Sequence, residues 1–315
     1  MDNGAVIPSR SAFEPWLQSL PGFEHARVLD IAAVDGGASN ITCRVTLDSA
    51  PATSVALRVQ RDRGIFEPYD VIREGEVLRH LGPSLVPVPQ MLGSEPDRSH
   101  LGAPFIVMEW VDAPHMGMAP DASFAAYTKA VVAIHAVNWR ALGLDFLGVA
   151  SSPAVALQGE IAAVANRMHA FDCASHPLLS RAHETLLRSI PNDGHLTLCQ
   201  GDINVFNYLF RAGEVVAVVD WEQARISDPR SDVGQLVALS HLKGAPFGPA
   251  RQQGFVQAYS AASGVSLPNM EFFRARWLFE LGVIYHGWMS FNASEPWYSW
   301  PQLSALLESS LTELA

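Results

Sequence analysis

Cysteine is scarce in this 315-residue sequence: Cys43, Cys173 and Cys199 are odd in number, widely spaced and without a CxxC pair. That excludes a disulfide framework and a cysteine-built zinc site, and it makes a reducing cytoplasm the expected location. No run of 18 apolar residues occurs, so no transmembrane helix is expected. The N-terminal MDNGAVIPSR has an early acid, no basic cluster and no long apolar run, so no secretory signal is expected there. Positive charge is also short, with 21 Lys and Arg against 32 Asp and Glu and a formal net charge of -11. Such a balance opposes phosphodiester backbones and anionic membranes, so neither nucleic acid nor membrane is expected as a partner. Internal repeats and low-complexity linkers are absent too.

What is present is apolar mass, 49% of residues, in a chain longer than one core comfortably serves, so two lobes are expected. The texture changes near residue 111, which sets the expected lobes at 1–111 and 112–315. Before the change, short β-rich runs (ITCRVTL, SVALRVQ, PFIVMEWV) alternate with turn residues and one helical segment. After it, apolar residues recur at helical spacing in SFAAYTKAVVAIHAV, GEIAAVANRMHAF, DVGQLVALSHL and MEFFRARWLFELGVIYHGW. The lone β signal in this half is YLF, RAGE, VVAVVD, a hairpin turning at Gly213. The fold class is therefore α+β, a β-rich N-terminal lobe followed by a mainly helical one carrying a hairpin.

That hairpin ties Asn207 to Asp220, and Asp202 lies five residues before Asn207 in QGDINVFN. Three oxygen-bearing side chains converge in this reading, the layout of a phosphoryl-transfer site. One carboxylate handles the proton of an attacking hydroxyl, while the amide and the other carboxylate hold Mg²⁺. An isolated D-x-x-x-x-N also suits an Asx turn or a helix cap, and Asp220 alone suits a solvent-facing strand end. The apolar hairpin ending in Asp-Trp-Glu favours the site.

A phosphoryl-transfer site needs a nucleotide cover, which falls to the first lobe. VDGGASNITCRV sets Gly36, Gly37, Ser39 and Asn40 between strand-like runs, where backbone amides can approach phosphate, although alone this reads as an ordinary hairpin turn. In SVALRVQ, Val55, Leu57 and Val59 share one face and Ala56 and Arg58 the other. Arg58 then stands where a kinase places its phosphate-binding lysine, or is an exposed strand cation. In YDVIREGEVLRHL, Glu74 falls amid an apolar arc of Val71, Val77, Leu78 and Leu81, so it is predicted to be buried and paired with Arg58, neither having another obvious partner. PFIVMEWVDA supplies a hinge at Glu109, Trp110 and Val111, whose backbone suits adenine, with Met108 gating the pocket behind.

The motifs GGASN, REGEVLRHL, VPVP, MEWVDA, QGDINVFN and VVDWEQARISDPRSDVG together resemble the aminoglycoside phosphotransferase and choline kinase-like family of protein-kinase-like fold. They are most similar to its bacterial branch related to the kinase-like domain of acyl-CoA dehydrogenase fusion proteins. The resemblance implies Asp202 as catalytic base, Asn207 and Asp220 as Mg²⁺ ligands, and Arg58 with Glu74 as the phosphate-side ion pair. It implies an ATP-dependent kinase, GTP being the less favoured donor, acting on a hydroxyl of a small molecule. Asp232 is expected to cap its helix and brace the catalytic loop. Two departures stand out: Gln200 replaces the usual histidine before Gly-Asp, and Arg58 replaces the strand lysine. A cationic acceptor would want an acidic cleft, to which Glu160 and Glu222 are candidates, whereas a hydroxyacyl or other lipophilic acceptor suits the aromatic C-terminal segment. There Trp277, Phe279, Tyr285 and Trp288 read first as core, with some as alternative cleft lining, and Trp297, Tyr298 and Trp300 suit a binding surface and a packed terminal segment equally. A nucleotide-binding module without turnover is the third alternative. His135 and His286 read as core or groove histidines.

Overall fold

The computed structural model describes residues 7–34, 39–48, 52–245 and 248–314. The chain divides into two compact units, one running to Ala113 and including Ala217–Glu222, the other holding Pro114–Val216 and the residues from Gln223 onward.

The first unit comprises α1 (Arg10–Leu17), β1 (Val28–Ala33), β2 (Ile41–Leu47), β3 (Ser54–Val59), α2 (Val71–Leu81), β4 (Met91–Glu95) and β5 (Phe105–Glu109). Its antiparallel sheet has the order β1-β2-β3-β5-β4, so β3 is an inner strand with Arg58 opposite Thr42 and Ile106. Period-two alternation sends Val55, Leu57 and Val59 into a core with Phe13, Trp16 and Phe105. α1, which begins on the Ser9 cap, packs on this side, and nothing in the sequence reading anticipated it.

α2 lies against β4 and β5. Its start is set by Asp70, whose side chain accepts from the Arg73 amide. Gly75 permits the close approach, because a Cβ there would stand 2.9 Å from Ile106 Cγ2. The helix thereby brings Glu74 over the β3 face that carries Arg58.

The second unit contains α3 (Phe124–His135), α4 (Pro153–Ala170), α5 (Pro177–Arg188), β6 (Thr197–Cys199), β7 (Tyr208–Arg211), β8 (Glu214–Val218), β9 (Arg225–Ser227), α6 (Pro229–Ser240), α7 (Pro249–Ser263), α8 (Met270–Phe291) and α9 (Trp300–Glu313). Of β8, only residues 214–216 belong to this unit, and Ala217 and Val218 belong to the first. β7 and β8 form the expected hairpin, turning through Ala212 and Gly213, both at positive φ. A second ladder, β6 with β9, pairs Thr197 with Ser227 and Cys199 with Arg225. These three-residue strands are too short to show a period of two, so the hairpin is not the only β structure of this half. α6 is buried at every position and packs on α8, whose Phe272, Trp277 and Phe279 belong to the main helical core.

Candidate active site

In the first unit, Arg58 Nε lies 2.8 Å from Glu74 Oε2, and the two side chains are 8% and 1% exposed. The guanidinium has further acidic partners: Nη2 donates to Asp220 Oδ1 at 2.9 Å and to Glu222 Oε2 at 3.2 Å. The sequence reading left the pair without other partners; the structure instead sets three carboxylates around one cation. Trp221 N donates to Glu74 Oε1 at 3.3 Å, and Arg73 Nη1 donates to the Glu222 carbonyl at 3.1 Å, which tethers this segment to α2. Asp220 lies two residues beyond β8 rather than at its end, at φ 63°, a left-handed backbone that aspartate tolerates better than most residues.

Burial opposes the charge on Arg58, but Glu74, Asp220 and Glu222 hold its pKa above the ordinary arginine value. Burial, reinforced by the Asp220 charge and only partly offset by Arg58, pushes Glu74 up to about 7 and Glu222 up to about 8. From the ordinary carboxyl value of 4.5 up to these values, Glu74 and Glu222 hold more protons in the folded chain than in the unfolded one. Their contribution to stability therefore falls as pH rises through that window. In metal-free buffer the wild-type Tm is expected to decline from about pH 5 to about pH 8.5, with a shallower decline for Glu222→Gln. Identical slopes would remove Glu222 as a source of this dependence.

Ser39 and Asn40 are buried beside the cluster, Ser39 Oγ 3.5 Å from Arg58 Nη2 and Asn40 Nδ2 donating to Glu222 Oε2 at 3.2 Å. Gly36 and Gly37 lie outside the described residues. Met108 is buried on β5, and Glu109, exposed at its end, donates through its amide to the Gln90 carbonyl at 2.8 Å. Trp110 and Val111 follow without regular secondary structure, the Trp110 ring lying under Arg44 at 5.0 Å.

In the second unit, residues 200–207 form a loop ending in a 3-10 turn at Val205–Asn207. Gly201 sits at φ 88°, and a Cβ there would meet the Gln223 carbonyl oxygen at 2.2 Å, so both backbone and space demand glycine. Asn207 Nδ2 donates to the Asp202 carbonyl and to Asp202 Oδ2, both at 3.0 Å. Gln235 Nε2, from α6, donates to Asp202 Oδ1 at 2.5 Å. Ile203 and Val205 are buried anchors, and Tyr127 donates its hydroxyl to the Ile203 carbonyl at 2.5 Å.

Asp232 braces this loop, but not as the cap of α6, a role that Asp228 fills. It sits inside the first turn, accepting from Gln200 N at 2.8 Å, Gly201 N at 3.1 Å and His135 Nε2 at 3.1 Å. Burial alone would raise the Asp232 pKa, yet these donors hold it below the usual carboxylate value. Gln200, in the usual histidine position, accepts from the Tyr208 hydroxyl at 2.8 Å, and His135 from α3 supplies an imidazole contact to Asp232. Among the described residues, His135, Cys199 and Asp232 bring donor atoms within 4.8 Å of one another, as a metal site would. The His135 nitrogens instead meet Asp232 and the Tyr259 hydroxyl, while burial pushes the Cys199 pKa well up and keeps it a thiol. The cluster is a brace.

The two acids considered for an acceptor cleft are engaged elsewhere. Glu222 belongs to the Arg58 cluster, and Glu160 is buried against Arg225 at 3.2 Å and Arg276 at 2.9 Å. Trp277, Phe279, Tyr285 and Tyr298 are core. Trp288 is half-buried, and Trp300 packs on the half-buried His286 ring at 5.0 Å. Trp297, 52% exposed, instead lines a cavity of about 280 Å³ with Asn204, Val205, Phe206, Leu236 and Leu239. No acidic side chain is among its described lining residues. Gln235 and Tyr127 were missed by sequence reading, although Gln235, as a lone amide three residues after Asp232 in an apolar helix, carried a signal.

Among known proteins, mouse acyl-CoA dehydrogenase family member 10 is 28% identical over 241 residues, 72% of this chain and 22% of that protein. Human acyl-CoA dehydrogenase family member 11 is 26% identical over 322 residues, 91% of this chain and 40% of that protein. The chain thus spans less than half the length of these relatives. A Ralstonia eutropha protein, described provisionally as an aminoglycoside phosphotransferase, superposes with a TM-score of 0.71 at 20% identity, covering 98% of this chain and 96% of its own. A thermostable mutant of aminoglycoside phosphotransferase APH(4)-Ia, in ternary complex with AMP-PNP and hygromycin B, gives 0.64 at 14% identity, covering 91% and 94%. These likenesses carry the kinase-like α+β fold. The model of the phosphotransferase enzyme family (APH) matches residues 30–275, most of the chain, and with that match the chain belongs to the phosphotransferase enzyme family.

Proposed function

We propose that this chain is an ATP- and Mg²⁺-dependent kinase that transfers the γ-phosphoryl group to a hydroxyl of a small molecule. One observation carries the reading. Asn207 clamps Asp202 through both its main-chain oxygen and its carboxylate, which fixes the carboxylate and turns the Asn207 amide oxygen away from it. The result is one oriented proton acceptor and one hard oxygen donor, the pair that phosphoryl transfer uses. APH(4)-Ia, which shares the fold, binds an ATP analogue and a small-molecule substrate, in support.

The amide oxygen of Asn207 and the carboxylate of Asp220 suit Mg²⁺, a hard cation that takes oxygen ligands, and are assigned to hold it. Bound there, Mg²⁺ would supply positive charge to the phosphate oxygens. Asp202 accepts the hydroxyl proton as the new O–P bond forms, the bond from γ-phosphorus to the bridging oxygen breaks, and ADP leaves. Arg58, held by Glu74, is assigned to the nonreacting phosphates together with Gly36, Gly37, Ser39 and Asn40. The backbone of Glu109, Trp110 and Val111 is assigned to adenine, and Met108 to the wall behind it.

For the acceptor, the cavity at Trp297 favours a lipophilic alcohol such as a hydroxyacyl compound over a polycation, because its described walls are mainly apolar, with Asn204 polar and no acid among them. Screening aliphatic, hydroxyacyl and aminoglycoside alcohols for ADP release, with Mg²⁺ and with EDTA, tests both readings. Mg²⁺-dependent turnover confined to the lipophilic set is expected. Turnover of aminoglycosides alone would reverse the acceptor assignment, and failure to bind AMP-PNP at all would remove the kinase.

A further inference from the structure

Asp202 has a second side-chain amide partner to which the transfer step assigns no role. Gln235 lies on α6 one turn beyond Asp232, so both side chains leave the helix on the face toward residues 200–207. Its Nε2 is 2.5 Å from Asp202 Oδ1, the carboxylate oxygen that Asn207 does not hold and that also accepts from the Asn204 main-chain amide at 3.3 Å. A carboxylate only accepts, so the NH₂ of Gln235 faces Asp202 and Oε1 is turned the other way. That oxygen is buried and meets no hydrogen-bond donor among the described residues. The residue is 6% exposed and is followed by Leu236 and Val237 on a wholly buried helix. A buried carbonyl without a donor is destabilising, and an apolar side chain of similar volume would relieve it. Glutamine here opposes stability while serving the carboxylate, the combination found where function overrides local packing.

We infer that Gln235 is a positioning residue. Together with Asn207 it grips Asp202 from both oxygens, holding the carboxylate in the rotamer that accepts the hydroxyl proton. This inference rests on the assignment of Asp202 as base.

Gln235→Met keeps the length and removes the donor, whereas Gln235→Glu sets a second carboxylate against Asp202. The probe is Mg²⁺-dependent ATP hydrolysis with water as acceptor, measured beside AMP-PNP calorimetry and thermal unfolding. Gln235→Met is expected to lower kcat about tenfold, with KM for ATP and the AMP-PNP Kd within about twofold, and to leave Tm unchanged or raised. Gln235→Glu is expected to lower kcat further. Retention of more than half the wild-type kcat by Gln235→Met overturns the inference. So does a Tm more than about 3 °C below wild type, which needs no turnover to detect and would make the glutamine a structural tie. Asp202→Ala in parallel separates the two levels: if it hydrolyses ATP normally, the base assignment falls, and if it alone is inactive, only the role of Gln235 does.

Discussion

Asp202→Ala is expected to lower phosphoryl transfer by about 10²- to 10⁴-fold, the usual contribution of a positioned general base. The variant removes the carboxylate but not the Asp202 carbonyl, to which Asn207 Nδ2 also donates at 3.0 Å. Asn207 therefore keeps one of its two anchors, and the Kd for Mg²⁺ and AMP-PNP is expected to rise only about threefold, since the loss of one hydrogen bond of two costs roughly 1 kcal/mol or less. The loss should thus appear in kcat rather than in nucleotide binding. Single-turnover transfer to an acceptor found in the screen, paired with calorimetry, measures both. Turnover above half the wild-type rate would take Asp202 out of the mechanism.

Arg58→Met should have the largest effect on stability. It removes the cation from Glu74, Asp220 and Glu222 together, leaving two nearly fully buried carboxylates and one partly exposed one against each other. Stripping one partner from a buried ion pair costs about 3–5 kcal/mol, a fall in Tm on the order of 10 °C. Part of this is relieved as Glu74 and Glu222 take up protons, so the loss should shrink toward acidic pH. Glu74→Gln should cost much less, because Arg58 retains Asp220 and Glu222 and the Trp221 amide retains an acceptor. The two substitutions should also couple by about 0.5–3 kcal/mol, with the double variant losing less than the sum. Urea unfolding of the four proteins tests this. Equal single effects would mean an isolated pair, and additivity within about 0.5 kcal/mol would mean no bridge.

Much of the first unit was readable because its signals are local. The burial of Glu74 followed from its place on an apolar helical arc, and the facing of Arg58 followed from strand alternation. Both depend on residues within one or two turns or pleats. The hairpin from Tyr208 to Val218 was readable for the same reason, with Gly213 marking its turn. By contrast, β6 and β9 are three residues each, and α1 is eight residues long with Pro15 inside it, which reads as a break rather than a helix.

Residue types and their spacing were enough to bring together, as candidates, the parts a phosphotransferase uses: an Asp and an Asn five apart, a hairpin, a second Asp, and a strand cation with a helix acid to match. Pairing across long separations was settled only on folding. Asp220 and Glu222 meet Arg58 from 162 and 164 residues away, and Gln235 meets Asp202 from 33. No local period encodes such meetings, because each depends on the path of the chain through several packed elements. The same holds for Glu160, whose buried arginine partners, and not its charge, decide that it cannot face an acceptor.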